Sequence, residues 1–178
     1  SILKVDNIQK ANGSTPTASD LGINTTGNVL QVVSTTKTDV QSTTSTSFVD
    51  VTGMSAVITP RSSSSKILVT VNVNVGADNS NFINLTILRG STAICIGDAS
   101  SSRGRVTGML YEYRNEGNVR PISMQHLDSP NTTLATTYKV QIKCAQAGTS
   151  YINRSARDTD AATEARTISN ITIMEIAV

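Results

Sequence analysis

Ile67-Leu68-Val69-Thr70-Val71-Asn72-Val73-Asn74-Val75 decides the fold class of this chain. Ile67, Val69, Val71, Val73 and Val75 occupy every second position, with Thr70, Asn72 and Asn74 between them. A period of two places the branched apolar set on one face of an extended strand and the polar set on the other, and no helix aligns such a series. Branching at Cβ also suits a pleated, half-buried surface. The stretch reads as a strand with one buried face, and Gly76-Ala77-Asp78-Asn79 turns the chain after it.

The same pattern extends in both directions. Downstream, Phe82 to Leu88 alternates through Ile83, Leu85 and Ile87, and Arg89-Gly90-Ser91-Thr92 breaks it before Ala93 to Ile96 answers as a hairpin partner. Val106 to Tyr113, Pro121 to Leu127, Leu134 to Cys144 and the short Tyr151-Ile152-Asn153 follow. In Leu134 to Cys144, the residues Tyr138, Val140, Ile142 and Cys144 are in phase. Thr167 to Val178 closes the chain as a strand apolar enough to lie centrally in a sheet, covered on both sides. Upstream, Val29 to Thr36, Ser47 to Val51 and Met54 to Thr59 read as three strands, the last two separated by Thr52-Gly53. Roughly eight to ten short strands with brief turns predict a sandwich or a barrel of antiparallel strands. A central terminal strand favours a jelly roll over an immunoglobulin-like order.

Residues 1–27 differ from the rest. Ile2, Leu3, Val5 and Ile8 are apolar, and Gly13, Pro16, Gly22 and Gly27 then interrupt a Ser/Thr/Asn stretch. This is an extended arm on a loop-like tether, which must dock on its own domain or on another chain. The expected organisation is an arm and linker over 1–27 and an all-β, antiparallel jelly-roll β-sandwich over 28–178.

Composition narrows the function. Charged residues make up 16% of the 178-residue chain, against about 25% in typical soluble domains. Ser, Thr, Asn and Gln must therefore cover most of the surface. Four Tyr, two Phe and no Trp leave an aliphatic core. The formal net charge of +2, with scattered basic residues, predicts neither a nucleic-acid nor a membrane partner. No run approaches the length of a membrane helix, and Lys4, Asp6 and Asn7 interrupt any signal-peptide core. Asn-x-Ser/Thr triplets such as Asn84-Leu85-Thr86 are what an Asn- and Thr-rich chain supplies by chance. Cys95 and Cys144 both sit in apolar strand-like runs and read as buried inert thiols, with a disulfide between them left open.

No constellation for catalysis emerges. His126 is the only histidine, and no Gly-x-Ser-x-Gly elbow is present to complete a serine triad. One His and two separated Cys do not make a zinc set. Asp158-Thr159-Asp160 with Glu164 is the sole acidic cluster, but Ala161 and Ala162 stand where a calcium loop needs ligands and a bend. No catalytic residue, metal or cofactor is expected. Two binding features stand out. Tyr111 and Tyr113, two apart, project from one face of a strand and suit a sugar ring, or else pack into a core or a subunit contact. Arg103 and Arg105, in a Ser/Gly stretch, read as a solvated loop before a phosphate site.

Several stretches resemble small virion proteins of tailed bacteriophages, marine and cyanobacterial ones in particular. They are Ser1-Ile2-Leu3-Lys4-Val5-Asp6-Asn7-Ile8-Gln9 with its Ser/Thr/Gly linker, Phe48-Val49-Asp50-Val51-Thr52-Gly53, Ile58-Thr59-Pro60, Ser65-Lys66-Ile67, Tyr138-Lys139-Val140 and Ile173-Met174-Glu175-Ile176. Each is weakly specific; their order spans nearly the whole chain. The resemblance implies a tail-fibre-like virion protein with a jelly-roll domain that forms homotrimers. It also implies docking of Ile2, Leu3, Val5 and Ile8 on other phage virion proteins, of the tail or the major capsid. Tyr111, Tyr113, Arg103 and Arg105 then become the candidates for contact with a host-surface glycan or within the trimer. A capsid decoration protein that cements the head is the alternative role. Either location is on the virion, as a tail appendage or on the capsid exterior.

Overall fold

The computed structural model describes residues 8–17, 19–21, 26–78, 80–113 and 116–178. The strands are β1 (Val29–Lys37), β2 (Gln41–Thr43), β3 (Val49–Ile58), β4 (Lys66–Ala77), β5 (Asn81–Arg89), β6 (Thr92–Ile94), β7 (Gly108–Glu112), β8 (Arg120–Asp128), β9 (Thr136–Cys144), β10 (Ser150–Ile152) and β11 (Ser169–Ile176). All pairings between them are antiparallel.

They form two sheets. In the first, β11 lies between β1 and β4, and β8 pairs with the other edge of β4. In the second, β9 lies between β3 and β5, and β7 pairs with the other edge of β5. The long strands thus run β1-β11-β4-β8 and β3-β9-β5-β7, with the three-residue strands β2, β6 and β10 as side pieces. Strands adjacent in the chain mostly sit in opposite sheets, so a β-sandwich with one enclosed core results.

The Ile67–Val75 stretch behaves as its pattern requires. Ile67, Val69, Val71, Val73 and Val75 are fully buried, and Leu68, Thr70, Asn72 and Asn74 are half-exposed on the other face. Ile83, Leu85 and Ile87 of β5, with Tyr138, Val140 and Ile142 of β9, supply the facing layer. Leu88 to Ala93 closes the expected β5–β6 hairpin, with Gly90 at positive φ in the turn.

Three expectations are corrected. Ser47 to Val51 and Met54 to Thr59 are not two strands but one, β3, carrying a bulge. Asp50 pairs with Gln141 and Ser55 with Lys139, so four residues, 51–54, stand opposite Val140 alone. Val51 and Met54 both point inward although three apart, and Gly53 takes φ +79° between them. A bulge lets the strand resume its phase after the extra residues. The terminal strand is central, between β1 and β4, but it is not covered on both sides. Ser169, Ile171, Ile173 and Glu175 are buried, whereas Asn170, Thr172, Met174 and Ile176 are half-exposed. Cys95 is exposed rather than buried, because the chain leaves β6 there through a left-handed residue at φ +54°. Cys144 is buried, and the two thiols are not bonded to each other.

Buried polar ties hold the sheets together. Asp128 at the end of β8 accepts two bonds from Arg89 Nη1, at 2.9 and 3.0 Å, and Tyr138 Oη donates to it at 2.7 Å. Arg89 and Tyr138 belong to the second sheet and Asp128 to the first, so the cluster bridges the sandwich. Burial, and then the hydrogen bond to Asp128, push the Tyr138 phenol far above its ordinary range. At the same end, Glu175 is fully buried. Burial alone raises its carboxyl, but the bonds from Gln31 Nε2 (2.6 Å) and the Arg61 backbone N–H (2.7 Å) bring it below the usual value.

At the other end the chain approaches itself closely. A Cβ on Gly76 would stand 2.5 Å from the Arg154 carbonyl oxygen, so only glycine lets the loop after β10 cross β4 here. Asn153, buried at φ +63°, anchors that crossing by donating through Nδ2 to the carbonyls of Lys37 and Asp39, both at 2.9 Å.

Candidate interaction surfaces

On β7 Met109 and Tyr111 share one face and are exposed, and Tyr113, the residue after the strand, is exposed beside them. Tyr111 lies opposite Phe82 of β5, and their rings stack with centroids 4.3 Å apart and planes 24° apart. Tyr113 continues the series at 6.0 Å from Tyr111, tilted by 38°. Three rings and a thioether therefore form a ridge at one end of the second sheet's outer face. Neither tyrosine is in the core: Tyr111 is 41% and Tyr113 56% exposed. Exposed aromatics that include two phenols offer an apolar face and polar groups together, which suits a sugar ring or an amphipathic protein surface.

The ridge has a cationic flank. Lys143 of β9 lies opposite Asn84 of β5, and its ammonium sits 4.9 Å over the Phe48 ring. Asn84 in turn lies opposite Met109, so Lys143, Asn84 and Met109 make one row beside the ring pair. Phe82, Met109 and Phe48 escaped the sequence reading. Met109 was detectable as the next same-face residue before Tyr111; the other two depend on cross-strand register.

Arg103 and Arg105 do not join the tyrosines. Both lie in the β6–β7 loop and bond within it, Arg105 Nε to the Gly97 carbonyl at 2.6 Å and Arg103 Nη1 to Ser100 Oγ at 3.2 Å. The loop is exposed and its arginines face solvent. Of the arm, Ile2, Leu3 and Val5 lie outside the described residues. Ile8 is described and 54% exposed. Farther on, Lys10 pairs with Asp20 at 2.6 Å, folding this part of the tether around the 3-10 turn Ser19–Leu21.

The acidic cluster is paired internally. Asp158 meets Arg154 at 3.0 Å and also Arg166, while Glu164 accepts from Ser155 Oγ at 2.6 Å and pairs with Arg157. Bonds from Ser155 first and Arg157 second hold the Glu164 carboxyl below its usual range. Among the described residues no group of three or more His, Cys, Asp and Glu is arranged to hold a metal ion. His126 sits half-buried on β8 opposite Val69. At the root of the 153–166 loop, Asn153 and Ser155 are buried. Among the described residues no helix is long and apolar enough to cross a membrane.

No protein-family model and no curated protein matches the chain. Among solved structures, it is similar to T=1 particles derived from infectious bursal virus, with a TM-score of 0.43 and 10% identity over 83% of this chain and 36% of that one. It is also similar to the Gx strain of infectious bursal disease virus (TM-score 0.43, 13% identity, 83% of this chain, 37% of that one). The VP2 subviral particle of infectious bursal disease virus aligns with a TM-score of 0.41 and 12% identity, over 83% and 37% of the two chains. The chain thus spans little more than a third of the length of these structures. A likeness this distant carries no argument about what the chain does.

Proposed function

We propose that the chain is a virion structural protein of the tailed-phage type, a jelly-roll knob on a trimeric appendage. In this reading residues 1–27 are the attachment arm, residues 28–178 the displayed domain, and the aromatic ridge the part that meets the host surface. The observation that carries it is the strand order β1-β11-β4-β8 against β3-β9-β5-β7. Two nested Greek keys produce an order of this kind, which supports the jelly roll that the phage-like stretches imply. The exposed Ile8 and the exposed Tyr111 and Tyr113 fit an anchor and a contact surface on one compact body.

Gold-labelled antibody against the purified chain, imaged on phage particles by electron microscopy, tests the location. Label at the tail supports the appendage; label over the head favours the cementing role instead. Particles that carry no label overturn a virion role altogether. Deleting residues 1–9 should abolish incorporation into the particle while leaving the domain folded, and loss of folding would refute the anchor.

A further inference from the structure

Beside the aromatic ridge, the outer face of the second sheet holds a covered acceptor that nothing bonds. Asn84 follows Phe82 on the outward side of β5, while Ile83 and Leu85 on either side of it enter the core. It is only 6% exposed, yet its Oδ1 has no hydrogen-bond partner among the described residues. A polar atom cut off from water and left unbonded is a standing cost to the fold, and its place in a native structure calls for a reason.

The side chains that flank Asn84 are movable. Its register neighbours are Lys143 of β9 and Met109 of β7, both long and unbranched, and Met109 is 58% exposed. A ligand therefore reaches Asn84 by swinging two flexible side chains aside, with the backbone in place. Lys143 forms no ion pair among the described residues; its ammonium rests 4.9 Å over the Phe48 ring. Two carboxylates of neighbouring strands are engaged elsewhere. Asp50, one row away, serves Lys139 and Gln141, and the buried Glu112 bonds Arg120.

We infer that the ridge and this row form one binding site for a carboxylated saccharide. The inference rests on the reading of the ridge as the part that meets the host surface, and names its ligand class. The exposed Tyr111 ring, stacked on Phe82, takes the apolar face of a sugar. About 7 Å along the strands, Asn84 Oδ1 accepts from a sugar hydroxyl. The Lys143 ammonium leaves the Phe48 ring for the carboxylate, a stronger partner. Other classes fit less. An extended peptide adds to a free sheet edge, but β5 is paired on both sides and offers side chains alone. A nucleic acid or an anionic membrane is held by many cations, and this row has one. A saccharide supplies the hydroxyl donor, the apolar ring face and, when carboxylated, the anion.

A glycan array carrying uronate-containing and sialylated oligosaccharides beside neutral ones of the same length, probed with the full chain, tests this. The best-bound glycan is then titrated by calorimetry against three variants. Asn84→Leu removes the acceptor and Lys143→Gln the charge, and each should weaken binding about tenfold. Asn84→Leu should also leave the urea midpoint unchanged or raise it, because an unbonded polar atom is gone from a covered position. Lys139→Gln removes the same charge two rows away, at Asp50, and should change nothing. Binding confined to carboxylated glycans, with both losses, supports the inference. It is overturned if no glycan binds, if neutral glycans bind equally well, or if both variants bind like the wild type. An equal loss in Lys139→Gln overturns it too, since net charge would then be the attraction. If Asn84→Leu lowers the urea midpoint or fails to fold, Lys143→Gln decides. A silent array with antibody label on the particles leaves the virion role standing without this site; a carboxylate-selective array with unlabelled particles does the reverse.

Discussion

On the outside of the first sheet, Ser, Thr, Asn and Gln side chains bond to one another in uncharged rows, and Lys66 stands in a row beyond them. On the outside of the second, Asp50 takes Lys139 at 2.9 Å and Gln141 at 2.7 Å, Lys143 lies over Phe48, and the Phe82–Tyr111–Tyr113 ridge stands exposed. The two inner faces are alike: Ile171 and Val71 on one side, Ile142 and Leu85 on the other, all fully buried. A sandwich constrains its interior through packing density, which treats both sheets equally. It leaves each exterior open, so the contrast between exteriors reports on what each one meets. Uncharged, laterally bonded rows leave fewer groups for water to bond, and a charged sheet with exposed rings suits water and a transient partner.

The largest expected effects probe whether the first sheet's outer face is a surface at all in the isolated domain. Ile173→Ala, on the inner face of β11, should cost about 3–4 kcal/mol in urea denaturation. Its neighbour Met174→Ala, on the outer face, should cost about 1 kcal/mol or less in dilute protein. Equal losses in dilute protein would make both faces core and dissolve the contrast.

Next in size is the joint between the sheets. Asp128→Ala leaves the buried Tyr138 hydroxyl without its acceptor and Arg89 Nη1 with the Ser129 carbonyl alone, and should destabilise the fold by about 3 kcal/mol. A loss within the usual range of a surface substitution would show that the two sheets are held by apolar packing alone.

A smaller effect is pH-dependent and belongs to the first sheet. The Glu175 carboxyl titrates below its ordinary value of 4.5 when folded. A depressed carboxyl contributes stability that is fully present above the unfolded value and is lost as pH falls through the folded one. The midpoint of thermal unfolding should therefore drop below pH 4.5 in the wild type, and Glu175→Gln should flatten that drop. An unchanged slope would remove Glu175 from the acid response.

The smallest effect on stability is expected at the ridge. Tyr111→Ala forfeits its stack on Phe82, worth about 1 kcal/mol, and leaves the fold intact. Binding of the purified protein to host cells should nonetheless fall sharply. Undiminished binding would separate the ridge from any recognition role.

Much of this was legible in the residues. The strands carrying Val71, Leu85, Val140 and Ile173 all announced themselves by period two, because burial on one face imposes it. The β3 bulge did not, since a shift of phase between Val51 and Met54 looks the same as the end of one strand and the start of another. The tyrosine pair was visible as residues two apart. Phe82 and Phe48 were not, because they join it through β5 and β9, strands distant in sequence. The apolar row across β1, β11, β4 and β8 was hidden for the same reason: Val32, Leu68, Leu127 and Met174 are scattered from one end of the domain to the other.

Local alternation, then, was enough by itself to determine that this chain folds into antiparallel sheets with an aliphatic interior. Which residues share an exterior row, which acid reaches across to Tyr138, and where the exposed rings cluster were decided only by the tertiary structure. The reason is physical: a strand's inner and outer faces follow from its own sequence, but its neighbours follow from register between strands that the chain order does not specify.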